Sequence, residues 1–112
     1  MIQSTNINKK GLKIIEVIEK FIEKQNKDFF DVTGLELGYN INDVDFYSKK
    51  DWKARGEEYS LDSDVVMTFD GGFMYDIVNN YGQAGIELNE ALKEIGLYTE
   101  QGYSWNCGFY EI

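Results

Sequence analysis

The C-terminal stretch Tyr98–Ile112 limits what this chain can fold into more than any other. From Tyr103 onward, Tyr103, Trp105, Cys107 and Phe109 alternate with Ser104, Asn106 and Gly108. A period of two marks a strand with one buried face. Aromatic side chains bury the most area per residue, so a core has to form against this row. Leu97–Gln101 is predicted to pair with Tyr103–Glu111 in a hairpin about Gln101-Gly102. The helix predicted over 87–95, with Leu88, Ala91, Leu92 and Ile95 on one face and Gly96 at its end, supplies the opposite wall.

The rest of the chain reads as alternating helices and strands. Residues 1–7 are expected to be a loose arm. A helix follows with Asn8 as its N-cap and a broad apolar stripe through Leu12, Ile15, Ile18 and Ile22. It is expected to fray near Gln25–Lys27. Leu35, Leu37, Tyr39 and Ile41 alternate with polar or small residues and predict a half-buried strand begun by a Thr33-Gly34 turn. Asn42–Asp45 reads as an acidic turn. Ser48-Lys49-Lys50-Asp51 fits a capping box, which predicts a short helix to about Arg55 closed by Gly56. Trp52 packs this helix down, and Lys49, Lys50, Lys53 and Arg55 make it a basic island. Val65–Phe69 is apolar on both faces and predicts a central strand. Phe73, Met74, Ile77, Val78 and Tyr81 fit a helix better than a hairpin strand. The sum is an α+β fold: a mainly antiparallel sheet of about four strands, with the N-terminal helix and one or two further helices packed on it. A chain of 112 residues is expected to be a single domain, 1–112.

Charge and composition narrow the chemistry. Residues 1–30 balance at +2, and residues 31–112 at −11. From Gly56 onward only Lys93 is basic, against eleven acids. Such a surface repels the phosphate backbone, so no direct nucleic-acid binding is expected, whereas a basic protein partner, itself nucleic-acid-binding, is favoured. No apolar run reaches the roughly 20 residues of a membrane span, and the first ten residues hold no secretory h-region, so no membrane contact and a cytoplasmic location are expected.

There is no histidine, which removes Ser-His-acid and Cys-His catalysis. The single cysteine, Cys107, allows no internal disulfide and sits on the predicted aromatic face as a structural thiol. Gly34 and Gly38 lack the Lys-Ser/Thr of a P-loop. Asp70-Gly71-Gly72 reads as a tight turn. The pairs Asp43/Asp45 and Asp62/Asp64 offer oxygen ligands for a divalent cation but do not match an EF-hand. No cofactor, metal site or catalytic residue is expected.

The surface carries the functional expectation. Glu57, Glu58, Asp62, Asp64, Asp70 and Asp76 fall within twenty residues without a basic residue among them. Tyrosines are interspersed, and tyrosine is favoured at interfaces. The predicted partner-binding set is Asp43, Asp45, Glu57, Glu58, Tyr59, Asp62, Asp64, Asp70, Tyr75 and Asp76. In size, acidity and lack of catalytic residues the chain resembles phage-encoded anti-defence proteins, such as anti-CRISPR proteins and other DNA mimics. That resemblance implies a non-catalytic inhibitor that blocks a nucleic-acid-processing protein in the host cytoplasm. The alternatives are an immunity protein or antitoxin neutralising a basic toxin, and a divalent-metal enzyme using the two Asp pairs. The oligomeric state is not legible.

Overall fold

The computed structural model describes residues 3–70 and 72–112. Met1 and Ile2 of the arm, and Gly71 of the Asp70–Gly72 turn, lie outside the described residues. The element order is α1 (Lys9–Thr33), β1 (Val44–Ser48), α2 (Lys49–Ala54), β2 (Val65–Phe69), α3 (Gly72–Asn80), α4 (Gln83–Lys93), β3 (Leu97–Gln101) and β4 (Asn106–Glu111). The strands form one four-stranded antiparallel sheet in the order β1-β2-β4-β3. The fold is therefore α+β, with three helices after the long first one. No helix is long and apolar enough to cross a membrane among the described residues.

Three helices cover one face of the sheet. α1 contributes Ile14, Ile15, Ile18, Phe21 and Ile22 to the core, α3 Met74 and Ile77, and α4 Leu88 and Leu92. The strands answer with Phe46, Val65, Met67, Phe69, Cys107 and Phe109. These positions alternate along each strand, as a pleat requires. β2 is buried at all five positions because it has neighbours on both sides and cover on both faces.

Local chemistry explains where the elements start and stop. Asn8 Oδ1 accepts from Gly11 N–H (2.8 Å) to begin α1. The helix does not fray at Gln25–Lys27 but continues to Thr33. The Lys24–Asp28 and Lys27–Asp31 pairs, each i,i+4, support the extra turns, and Gly34 closes them in the left-handed conformation (φ 70°). The strand expected over 35–41 does not form. Leu35 stays 63% exposed, Gly38 takes a left-handed φ of 77°, and the segment finds a side chain in place of a partner strand. Asn26 clasps Tyr39 from both sides, donating to its carbonyl (2.7 Å) and accepting from its N–H (3.0 Å). The acidic turn is displaced too. A 3-10 turn at Ile41–Asp43 leads directly into β1 at Val44.

The arm is not loose over its described part. Gln3 bridges Phe46 in parallel, Ser4 N–H donates to the Phe46 carbonyl (3.0 Å), and Ser48 N–H donates to Ser4 Oγ (3.0 Å). The edge strand β1 presents unpaired backbone groups, and the arm satisfies them. At the other edge Asn89 of α4 plays a similar part, accepting from Thr99 N–H on β3 (2.8 Å).

Candidate protein-binding face

The second face of the sheet is where the predicted aromatic row divides. Cys107 and Phe109 face the helices, but Tyr103 and Trp105 do not join them. They lie in the turn that precedes β4, where the chain has not yet taken up the strand's pleat. The two rings stack in parallel at 4.9 Å. Trp105 also meets Trp52 of α2 edge-on at 5.8 Å, and Tyr103 meets Tyr59 edge-on at 4.8 Å. Tyr47 adjoins Trp52 at 5.9 Å. The result is a continuous aromatic strip under and beside α2.

Trp52 anchors that strip. It is fully buried, and its indole N–H donates to the Tyr59 carbonyl (2.7 Å). The loop after α2 is then fixed to the hairpin turn through Asn106, a buried amide on β4. Asn106 Nδ2 donates to Ser60 Oγ (3.0 Å), and its Oδ1 accepts from Tyr103 N–H (2.6 Å). Ser60 adopts a left-handed conformation (φ 63°) to present its hydroxyl. Tyr103 Oη accepts from Glu58 N–H (3.1 Å). A Cβ at Gly102 would stand 2.8 Å from Tyr59 Cβ, so the turn and loop touch without space for a side chain. Ser63 completes the attachment, donating to the Val65 carbonyl and accepting from Phe109 N–H (2.9 Å). It bridges β2 and β4 just beyond the residues where their ladder pairs.

The strand register places further groups on this outer face. Tyr98 pairs with Tyr110 and Glu100 with Gly108, all opposite in phase to Cys107 and Phe109. Tyr98 Oη donates to Glu100 (3.3 Å). The Tyr110 phenol is pushed up, first by desolvation and then by the charges of Glu100 and Asp62, against a lowering hydrogen bond from Ser60. Asp45 also falls on this face, in phase with Tyr47. Arg55, which follows α2, lays its guanidinium over the Tyr47 and Trp52 rings at 4.9 and 5.1 Å and pairs with Glu57 (3.3 Å). The outer face is thus tyrosine-rich, acidic and half open, with Tyr59 50% and Tyr98 38% exposed.

The predicted partner-binding set does not gather into one patch. Asp45, Glu57, Glu58, Tyr59 and Asp62 belong to the outer face and its loop. Asp43 and Asp70 flank the paired residues Val44 and Phe69, so they leave the sheet together at one end. Asp64 precedes Val65 at the opposite end, roughly 20 Å from Asp70 along the intervening strand. There it accepts from Asn8 Nδ2 (3.0 Å) and pairs with Lys10 (3.6 Å), so α1 takes up much of its charge. Tyr75 and Asp76 sit on α3, which packs on the helix-covered side, and Asp76 accepts from Asn80 (3.1 Å). Sequence reasoning missed Tyr98, Glu100, Tyr103, Trp105 and Tyr110. The in-phase positions of β3 and β4 were the signal for Tyr98, Glu100 and Tyr110.

The separation of the Asp pairs bears on metal chemistry. Asp43/Asp45 open β1 at one end of the ladder, while Asp62/Asp64 precede β2 near the other. Among the described residues no three Cys, Asp or Glu side chains gather to hold a metal ion. Cys107 is fully buried, and desolvation pushes its thiol far up, which disfavours the nucleophilic thiolate. No protein-family model, curated protein or solved structure matches this chain.

Proposed function

We propose that this chain is a non-catalytic acidic binding protein whose outer sheet face holds, and blocks, a basic nucleic-acid-processing protein. One observation carries the reading. The face combines half-exposed tyrosines with the carboxylates Glu58, Asp62 and Glu100, and the nearby Arg55 is already committed to Glu57. Large rings with polar tips anchor interfaces, and unopposed carboxylates steer a basic partner into register. The ring stack and the Asn106 contacts hold these groups in place before binding, which reduces the ordering cost of association.

The test is capture from a host lysate by wild-type protein, by Glu58→Lys/Asp62→Lys, and by Glu94→Lys on the helix side. The wild type and Glu94→Lys are expected to retain a basic partner that is released as salt rises and that nucleic acid displaces. The double reversal is expected to lose it. Equal capture by the double reversal overturns the reading. Tyr59→Ala is expected to weaken the complex by about 1–2 kcal/mol, as loss of an interface anchor does.

A further inference from the structure

At the far end of the sheet the charge is reversed. Lys49, Lys50 and Lys53 of α2 line a concavity of about 430 Å³ together with Asn8, Ser48 and Asp64. The contrast with α1 is instructive. There five of the six lysines, all but Lys9, have a carboxylate within ion-pair distance. Among the described residues none of the three α2 lysines has one. The carboxylate in the concavity, Asp64, is shared with Lys10 and Asn8. Lys49 and Lys53 are i,i+4 neighbours of like sign, which is unfavourable on a helix. A chain of net charge −9 therefore lines one hollow with three lysines that have no carboxylate partner among the described residues.

We infer that this hollow binds a small anion bearing adjacent phosphates. Ammonium groups act on phosphate as point charges and need no fixed fork geometry, so three of them around one concavity suit a compact, multiply charged ligand. The volume lies within the range of small-ligand sites, larger than a lone orthophosphate requires. Lys49 is half-buried, which lessens screening of its charge. The inference stands apart from the outer face, since the hollow shares none of the residues proposed there to bind a partner.

The probe is inorganic pyrophosphate, titrated into isotopically labelled protein and followed by amide shifts. Saturable shifts are expected over 48–53 and at Asn8, with weaker binding of orthophosphate and of sulfate. Lys49→Gln/Lys53→Gln should weaken binding about tenfold or more, as loss of charge-assisted contacts does. Lys50→Arg should stay close to wild type, and Glu58→Lys/Asp62→Lys should not alter the site. Each variant's dispersed spectrum reports that it is folded, and Lys50→Gln serves if the double variant is not. Shifts that never saturate, that spread over the lysines of α1, that sulfate reproduces at equal concentration, or that persist in the double variant overturn the inference.

Discussion

The helix-covered face of the sheet is apolar and closed, whereas its outer face is aromatic, hydrogen-bonded and half open. On the first, Ile14, Ile18, Leu88 and Leu92 are 1% exposed or less and pack without polar atoms. On the second, the equivalent work is shared between the Trp52 ring and a buried set of polar groups, Ser60, Ser63 and Asn106. Every buried side-chain polar atom among the described residues has a hydrogen-bond partner. Apolar packing holds shape through volume. A satisfied polar set holds shape through direction, and each member depends on the next. The difference teaches that the outer face owes its open surface to a rigid underside. Its tyrosines can stay half exposed because Asn106 and Trp52 fix the loop and turn that carry them.

The strongest test of this contrast is Trp52→Ala. If the outer layer were a mere coat, the substitution would cost less than a truncation in the helix-side core. It is expected instead to cost about 3–5 kcal/mol, at or above the 2–5 of Leu92→Ala, measured by urea unfolding. Next is Asn106→Ala. It leaves the Tyr103 N–H and the Ser60 hydroxyl without their partner. A loss of about 2–3 kcal/mol is expected, with faster amide exchange at Gly102 and Tyr103. A loss under about half a kcal/mol would place the directional hold elsewhere.

Alkaline titration separates the two faces through a buried thiol on one and a partly buried phenol on the other. The Cys107 thiol, facing the helices, and the Tyr110 phenol, facing outward, both have folded pKa values raised by desolvation. For a raised acid, stability is fully present below the unfolded pKa and falls as pH rises towards the folded one. The decline from Cys107 should therefore begin near pH ~8.5 at about 1.4 kcal/mol per pH unit, and that from Tyr110 near ~10. Cys107→Ala should remove the first decline and leave the second. The smallest effect is expected at Ser48→Ala. It deletes the hydroxyl that accepts from Asp51 N–H (3.0 Å) and starts α2, and it should cost about 1 kcal/mol.

The sequence made some of this arrangement legible and not the rest, for physical reasons. Ser48 with Asp51 located α2, because a cap is local chemistry. Val65–Phe69 located β2, because burial on both faces needs a continuous apolar run. Met74 and Ile77 favoured a helix, and they are the buried residues of α3. The alternation over 35–41 also signalled extended chain, but Gly38 turns the segment with a left-handed φ of 77°. Whether extended chain becomes a strand depends on a free neighbouring edge, and here Asn26 meets Tyr39 first. The division between Trp105 and Cys107 depends on where the hairpin turn ends, a matter of one or two residues that periodicity does not resolve. The carboxylates were the least legible. Asp64 and Asp62 are two residues apart in sequence, yet one meets the lysine of α1 and the other the phenol of Tyr110. Only the folded path assigns them to different neighbourhoods.

The occupied margins of the sheet have a consequence for assembly. The arm residue Ser4 fills outward-facing backbone positions of β1, and Asn89 reaches the outermost N–H groups of β3 at Thr99. A second copy approaching either margin finds the Phe46 carbonyl, the Ser48 N–H or the Thr99 N–H already engaged, which hinders templated stacking into ribbons at those positions. Removing Asn89 would free the Thr99 N–H of that margin while leaving the tyrosine surface intact, and so would ease strand-to-strand pairing there.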